Sequence, residues 1–242
     1  MLVYNIHAGK DASGQPNLEA VARIVDEHDA DVVLLQEVDR GTKRSGGVDQ
    51  LQVLIERTRL GGVFGRTLDY DGGQYGIAAL SRGGFGFDET VPLHVTPPPA
   101  RAGGSHEPRG ALVALAYTRL GRWQAITTHL DASADDGYRL QEAERLRELV
   151  RIRRATGTPL MLGGDMNATP DSTVIRHLHA FGLRDAWAEC GKGDGFTFPA
   201  AEPVKRIDYL FLDGALRCTS AEVIDTQASD HRPVLVTVVR GS

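Results

Sequence analysis

The amino-acid sequence predicts an α+β sandwich, with sheets inside and helices outside. Short apolar runs rich in β-formers outnumber helical patterns. Several neighbouring runs also follow one another with no helix between them, which a parallel doubly wound sheet does not allow. The 242 residues, 41% hydrophobic, can bury a sizeable core, and a single domain over 1–242 is expected.

Residues 2–6, 32–35, 76–80, 111–117, 124–128, 159–162, 207–212 and 233–239 read as strands. Asn17 is placed to cap a first helix whose Leu18, Val21, Ala22 and Val25 share a face. A second helix runs from about 48 to 60 and stops at Gly61-Gly62. The third, 138–155, sets Leu140, Ala143, Leu146, Leu149 and Val150 on one stripe. A fourth follows Thr169-Pro170-Asp171 and ends at Gly182. The Pro/Gly-rich stretch 95–108 reads as a long surface loop.

Composition excludes several classes. The 27 Lys+Arg against 32 Asp+Glu leave a net charge of −5, which argues against a large basic surface wrapping nucleic acid. Cys190 and Cys218 cannot build a disulfide framework or a zinc cluster, and both read as buried small hydrophobes. No apolar run approaches the roughly 18–20 residues that span a bilayer. The opening MLVYNIH lacks the pattern of a signal peptide, so the chain as written is expected to be cytoplasmic. Trp123 and Trp187 sit in apolar context and read as core.

The chemistry is carried by polar residues that end apolar runs. Leu34-Leu35 leads into Gln36-Glu37-Val38-Asp39, Thr127-Thr128 into His129-Leu130-Asp131, and Met161-Leu162 into Gly163-Gly164-Asp165-Met166-Asn167. Asp208 opens the run Tyr209-Leu210-Phe211-Leu212, Ser229-Asp230-His231 precedes the last strand, and Asn5 and His7 close the first. A single Asp or Asn there is ordinarily a turn residue. His28, His94, His177 and His179 read as surface or packing residues, and Gly163-Gly164 lacks any phosphate-loop pattern. Six such strand ends together are not explained by turns. Gathered at one edge of a sandwich, hard oxygen donors with imidazoles suit Mg²⁺ or Mn²⁺.

The segments YNIHAG, LLQEVDR, YGIAALSR, TTHLD, GGDMNATP, RIDYLFL and SDHRPV, in that order over 4–234, resemble the endonuclease/exonuclease/phosphatase superfamily. The resemblance implies a four-layer α/β/β/α sandwich, with two mixed β-sheets packed face to face and helices outside. It also implies a divalent-metal-dependent phosphoester hydrolase using in-line water attack, with Mg²⁺ as cofactor and Mn²⁺ as the other candidate. By position, Glu37 and Asn5 match the metal-holding residues, and Asp230 a residue that positions metal or water. Asp165 and Asn167 match the pair that orients water and phosphate, His231 the catalytic imidazole, Asp208 its carboxylate, and His129 a second active-site imidazole. Arg109 and His7 are the expected phosphate contacts, with packing the equal alternative for His7. Where some relatives pair the second imidazole with a Glu, this chain has Gln74, so Gln74 either replaces that carboxylate or the pairing is absent.

Substrate choice resides in loops. The sequence has no aromatic insertion to wedge into a duplex and no exposed hydrophobic hairpin to reach lipid. The stretch 139–154 interleaves six arginines with three glutamates and reads as a solvated helix face rather than a nucleic-acid tract. A phosphodiesterase for a small organic phosphate or lipid headgroup is therefore favoured, acting as a monomer. A DNA or RNA nuclease, including an abasic-site endonuclease, is the alternative. A non-catalytic binding module is the second alternative, and intact Glu37, Asp165, Asn167, Asp208 and His231 oppose it. Six acids lie in the motifs (Glu37, Asp39, Asp131, Asp165, Asp208 and Asp230), and setting them aside turns the balance from −5 to +1. A bound cation and an imidazolium would offset that acidity, so net charge does not argue against a phosphate substrate.

Overall fold

A computed structural model describes residues 1–98 and 107–241. Its strands are β1 (Leu2–Asn5), β2 (Val32–Arg40), β3 (Gly61–Tyr70), β4 (Gly73–Ser81), β5 (Phe85–Pro92) and β6 (Gly110–Thr118). They continue with β7 (Gly121–His129), β8 (Leu160–Asp165), β9 (Arg184–Asp185), β10 (Asp208–Leu212), β11 (Leu216–Val223) and β12 (Val234–Arg240). The helices are α1 (Leu18–Glu27), α2 (Gln50–Thr58), α3 (Gly137–Arg154), α4 (Thr173–Ala180) and α5 (Ala186–Cys190).

Two six-stranded mixed sheets result, ordered β11-β12-β1-β2-β4-β3 and β5-β6-β7-β8-β10-β9. Side chains alternate between faces, as the pleat requires. Leu2 and Tyr4 point outward to a core shared with Val21 of α1 and Leu54 of α2. Val3 points inward to a second core with Leu34, Leu112, Met161 and Val236, which fills the space between the sheets. A third core joins the outer face of the second sheet to Leu146 of α3 and Leu178 of α4. These are the four expected layers.

The expected strands all form, but four observed ones were not anticipated: β3, β5, β9 and β11. All four are sheet edges. An edge strand packs on fewer sides, so its sequence carries no continuous apolar run, and β5 and β11 are largely solvent-facing. Asn17 occupies the N-cap of α1 without a side-chain cap hydrogen bond. Asp49 does cap α2, accepting from the Gln52 N–H. The solvated-face reading of 139–154 needs correction, because Arg139 and Glu142 are buried on the inner side of α3. Glu142 accepts the Asp131 N–H at 2.8 Å, and Arg139 donates to the Asp131 and Ser133 carbonyls.

The cysteines also depart from expectation. Cys190, at the end of α5, and Cys218 in β11 are joined in a disulfide, with Cα atoms 5.8 Å apart. Tertiary contact between α5 and an edge strand brings them together, which spacing alone cannot reveal. Trp123 is buried between the sheets, and Trp187 packs partly buried against the same core. Much of the stretch 95–108, namely 99–106, lies outside the described residues. Among the described residues no helix is long and apolar enough to cross a membrane.

Candidate active site

Strand register gathers the polar strand ends. In the second sheet His129 pairs with Asp165 across the parallel β7–β8 ladder, and Asp165 pairs with Asp208 across the antiparallel β8–β10 ladder. The three therefore stand abreast on adjacent strands. Gly164 makes this row possible, since a Cβ there would lie 1.9 Å from the Thr128 carbonyl oxygen. The double glycine is thus a device for close strand approach. In the first sheet Asn5 ends β1 beside Gln36 of β2. The β2–β4 ladder is interrupted between Leu35 and Val38, and Glu37 there takes φ +57°. A bulge of this kind re-aims a side chain, and here it turns Glu37 toward the second sheet.

Asn5 ties the sheets together at this end. Its Nδ2 donates to Glu37 Oε1 and to Asp165 Oδ2, both at 3.1 Å, and its Oδ1 accepts the His7 N–H. Ser229 donates to the Asn5 carbonyl at 2.8 Å, which anchors the segment carrying Asp230 and His231. Asn167, at φ +47°, donates from its backbone to Asp165 Oδ1 and from its amide to the Leu130 carbonyl. A cavity of about 560 Å³ opens over this cluster, lined by Glu37, Asp165, Asn167, His129, His231 and Asp230 among others.

Two imidazoles flank Asp165, each with Nε2 3.6 Å from Asp165 Oδ2. His231 Nδ1 lies 2.8 Å from Asp208 Oδ2, which also accepts from Thr197 at 2.6 Å. Burial opposes charge on His231, but Asp208 and Asp165 outweigh it and raise its pKa to about 10. Burial drives the Asp165 carboxyl upward to about 7, with His231 and the Asn5 and Asn167 donors acting against it. His129 Nδ1 faces Arg109 Nη1 at 3.1 Å. A guanidinium only donates, so Nδ1 must accept, and the assigned tautomer carries its proton on Nε2.

Arg109 lines the cavity, with Glu107 as a further partner at 2.6 Å. Gln74 does not take the missing carboxylate's place. It lies in a neighbouring cleft with Arg40 and Asp69, and Arg109 occupies the far nitrogen of His129. His7, at φ +48°, has Nδ1 3.8 Å from Asp230 Oδ1 and is not part of the cavity lining. Thr197 and Phe198 were not singled out from the sequence, whereas Tyr75 opens the YGIAALSR segment and Arg44 is a basic residue close to the LLQEVDR segment.

The donor set fits a hard divalent cation. Asp165, Asp208 and His231 present ligand atoms within 4.8 Å of one another, a buried group able to hold a metal. Asp208 Oδ2 and His231 Nδ1 are joined to each other, however, and Asp208 Oδ1 is buried without a partner among the described residues. Further oxygen donors on the cavity wall, the carboxylates of Glu37 and Asp230 among them, are of the type that Mg²⁺ and Mn²⁺ prefer.

This architecture and site define an α/β sandwich of the deoxyribonuclease-like type. Residues 2–231 match the endonuclease/exonuclease/phosphatase family, and the chain belongs to it. Its superfamily consists of metal-dependent phosphoesterases. A search of curated proteins finds no match. Among solved structures, an endonuclease/exonuclease/phosphatase from Beutenbergia cavernae superposes with TM-score 0.76 and 22% identity, over 99% of this chain and 71% of that one. A mannosyl-6-phosphatase from Bacteroides thetaiotaomicron gives 0.78 and 20%, over 99% of both chains. The human Nocturnin catalytic domain gives 0.74 and 20%, over 100% of this chain and 93% of that one. At such identities the likeness is one of fold.

Proposed function

We propose that this protein hydrolyses phosphoesters of small organic alcohols with the aid of a divalent metal, by in-line attack of water. The observation that carries the reading is the position of Asp165, buried between two imidazoles and tied through Asn5 to Glu37. Glu37, with Asn5 and Asp230 alongside, would hold a Mg²⁺ or Mn²⁺ ion, which would supply charge relief on the phosphate's non-bridging oxygens. Asp165 accepts a hydrogen bond from the attacking water, and a pKa near 7 suits proton acceptance at neutral pH. His231, kept cationic by Asp208, donates through Nε2 to a phosphate oxygen. His129 donates its Nε2–H to the same group, while Asn167 holds Asp165 in orientation.

A small substrate is supported by the size of the cavity, about 560 Å³, and by its mixed charge. Glu107 and Asp230 stand on its wall beside Arg44 and Arg109, unlike the continuous basic rim that a nucleic-acid groove needs. The name of the mannosyl-6-phosphatase points the same way. The test is a Mg²⁺- or Mn²⁺-supplemented screen of bis-p-nitrophenyl phosphate, p-nitrophenyl phosphate, a hexose phosphate, plasmid DNA, an abasic duplex and sphingomyelin. Cleavage of the small esters, lost in Asp165→Ala and His231→Ala, is expected. Efficient nicking of plasmid or abasic DNA with the small esters untouched would overturn it.

A further inference from the structure

One wall of the cavity lies away from the reacting centre, and its construction is not explained by phosphate chemistry. Asp39 is fully buried and spends both carboxylate oxygens on Arg44, which donates from Nε at 2.8 Å and from Nη2 at 2.7 Å. Thr42, also fully buried, donates to the same carboxylate at 2.7 Å. The turn carrying Arg44 is stitched to the β3–β4 hairpin, with the Arg44 N–H donating to Asp71 and the Lys43 N–H to the Asp71 carbonyl. The two segments approach so closely that a Cβ on Gly73 would lie 2.4–2.5 Å from the backbone at residues 40–42. The guanidinium then lies over two rings, 4.7 Å from the Tyr70 centroid and 5.2 Å from that of Tyr75. Every degree of freedom of this arginine is constrained, although it faces a cavity. Such preorganisation is typical of a recognition group.

We infer that Arg44, with Tyr70, forms a subsite for the leaving alcohol, and that this alcohol is a hydroxyl-bearing ring such as a sugar or cyclic polyol. The inference rests on the phosphoesterase reading above and names the substrate class for it. Two observations select the chemistry. Arg44 is neutralised by Asp39, so it offers directed N–H donors rather than net positive charge, and its Nη1 has no hydrogen-bond partner among the described residues. Tyr70 stands beside Arg44 on this wall, and the same cavity is lined by Leu68 and by the carboxylates of Glu37, Glu107 and Asp230. A second phosphate on the substrate would meet those carboxylates and an arginine already neutralised by Asp39. A neutral ring fits, with one face on an aromatic side chain and its hydroxyls accepting from Arg44.

The test measures discrimination. With Mg²⁺ or Mn²⁺ present, kcat/KM is determined for a hexose phosphate, an inositol phosphate, a hexose bisphosphate and p-nitrophenyl phosphate. Wild type is compared with Arg44→Lys, which keeps a charge beside Asp39 but loses the planar fork, and with Tyr70→Ala at an exposed position. The preference for the ring polyol monophosphates over the nitrophenyl ester is expected to fall about tenfold in each variant, mainly through KM. An unchanged preference, or a wild-type preference for the bisphosphate, overturns the inference. Calorimetric binding of hexose phosphate against inorganic phosphate is measured in parallel. If Asp165→Ala leaves turnover intact, the reaction reading fails, while the binding ratio in Arg44→Lys still decides the subsite.

Discussion

His231 and His129 stand at the same distance from Asp165 Oδ2, 3.6 Å, yet the structure gives them opposite electrostatic surroundings on their far nitrogens. His231 is backed by the carboxylate of Asp208 at 2.8 Å, and His129 by the guanidinium of Arg109 at 3.1 Å. A carboxylate behind an imidazole favours its charged form, whereas a guanidinium demands a lone pair. Two side chains of one type, flanking one acid, thus become a fixed cation and a neutral donor. The charge state of each is set by the group behind it, a contact made on the side away from Asp165.

The comparison can be broken most severely at its shared centre. Asp165→Ala removes the group both imidazoles face, and kcat is expected to fall by about 10³-fold or more in steady-state assays of the small esters. Asp208→Asn keeps the shape behind His231 but removes the charge. Here a loss of about 10²-fold is expected, and the His231 resonances should titrate well below the wild-type value of about 10. The same variant has a stability signature. A histidine raised from 6.5 to about 10 on folding stabilises fully below pH 6.5, and that contribution is lost as pH rises through about 10. The melting-temperature gap between wild type and Asp208→Asn should therefore be widest near pH 6 and close toward pH 10.

Arg109→Met probes the other half, with a loss of about tenfold expected because His129 keeps its position but not its imposed tautomer. Nitrogen-15 shifts of the His129 ring check this directly, since wild type should carry its proton on Nε2. The smallest effect is expected behind this half, at Glu142. Burial raises its carboxyl to about 8, against the Asp131 N–H and the nearby Arg109 and Arg139. A carboxyl raised on folding costs stability once it is ionised, so the penalty grows from about pH 4.5 and is complete above about pH 8. Glu142→Gln should melt a few degrees higher than wild type at pH 9 and no higher at pH 4, read by thermal denaturation.

Much of this was legible in the sequence because it is local. Short apolar runs rich in β-formers marked the interior strands, and the amphipathic stripe of 138–155 marked α3, since each pattern reports which residues are buried. The edge strands β3, β5, β9 and β11 were missed because an edge contributes little continuous apolar surface. The ordered series from YNIHAG to SDHRPV identified Asn5, Glu37, Asp165, Asn167, Asp208 and His231, and the structure brings all of them to one end of the sandwich. Thr197 and Phe198 had no comparable signal, since an ordinary turn could hold the same residues. The disulfide was illegible for a related reason, because it joins a short helix to an edge strand.

The amino-acid sequence by itself determined which acids, amides and imidazoles end the strands, and with them the family and class of chemistry. Only the tertiary structure decided what each of them faces. The β7–β8–β10 register sets His129, Asp165 and Asp208 abreast, and the bulge in β2 turns Glu37 into the same space. Arg109, rather than Gln74, reaches the far nitrogen of His129, and Asp39 holds Arg44 against two tyrosines. These assignments depend on ladder register and on contacts between segments distant in sequence. Side-chain periodicity carries no record of either, so the partners that set each group's charge and orientation had to be read from the fold.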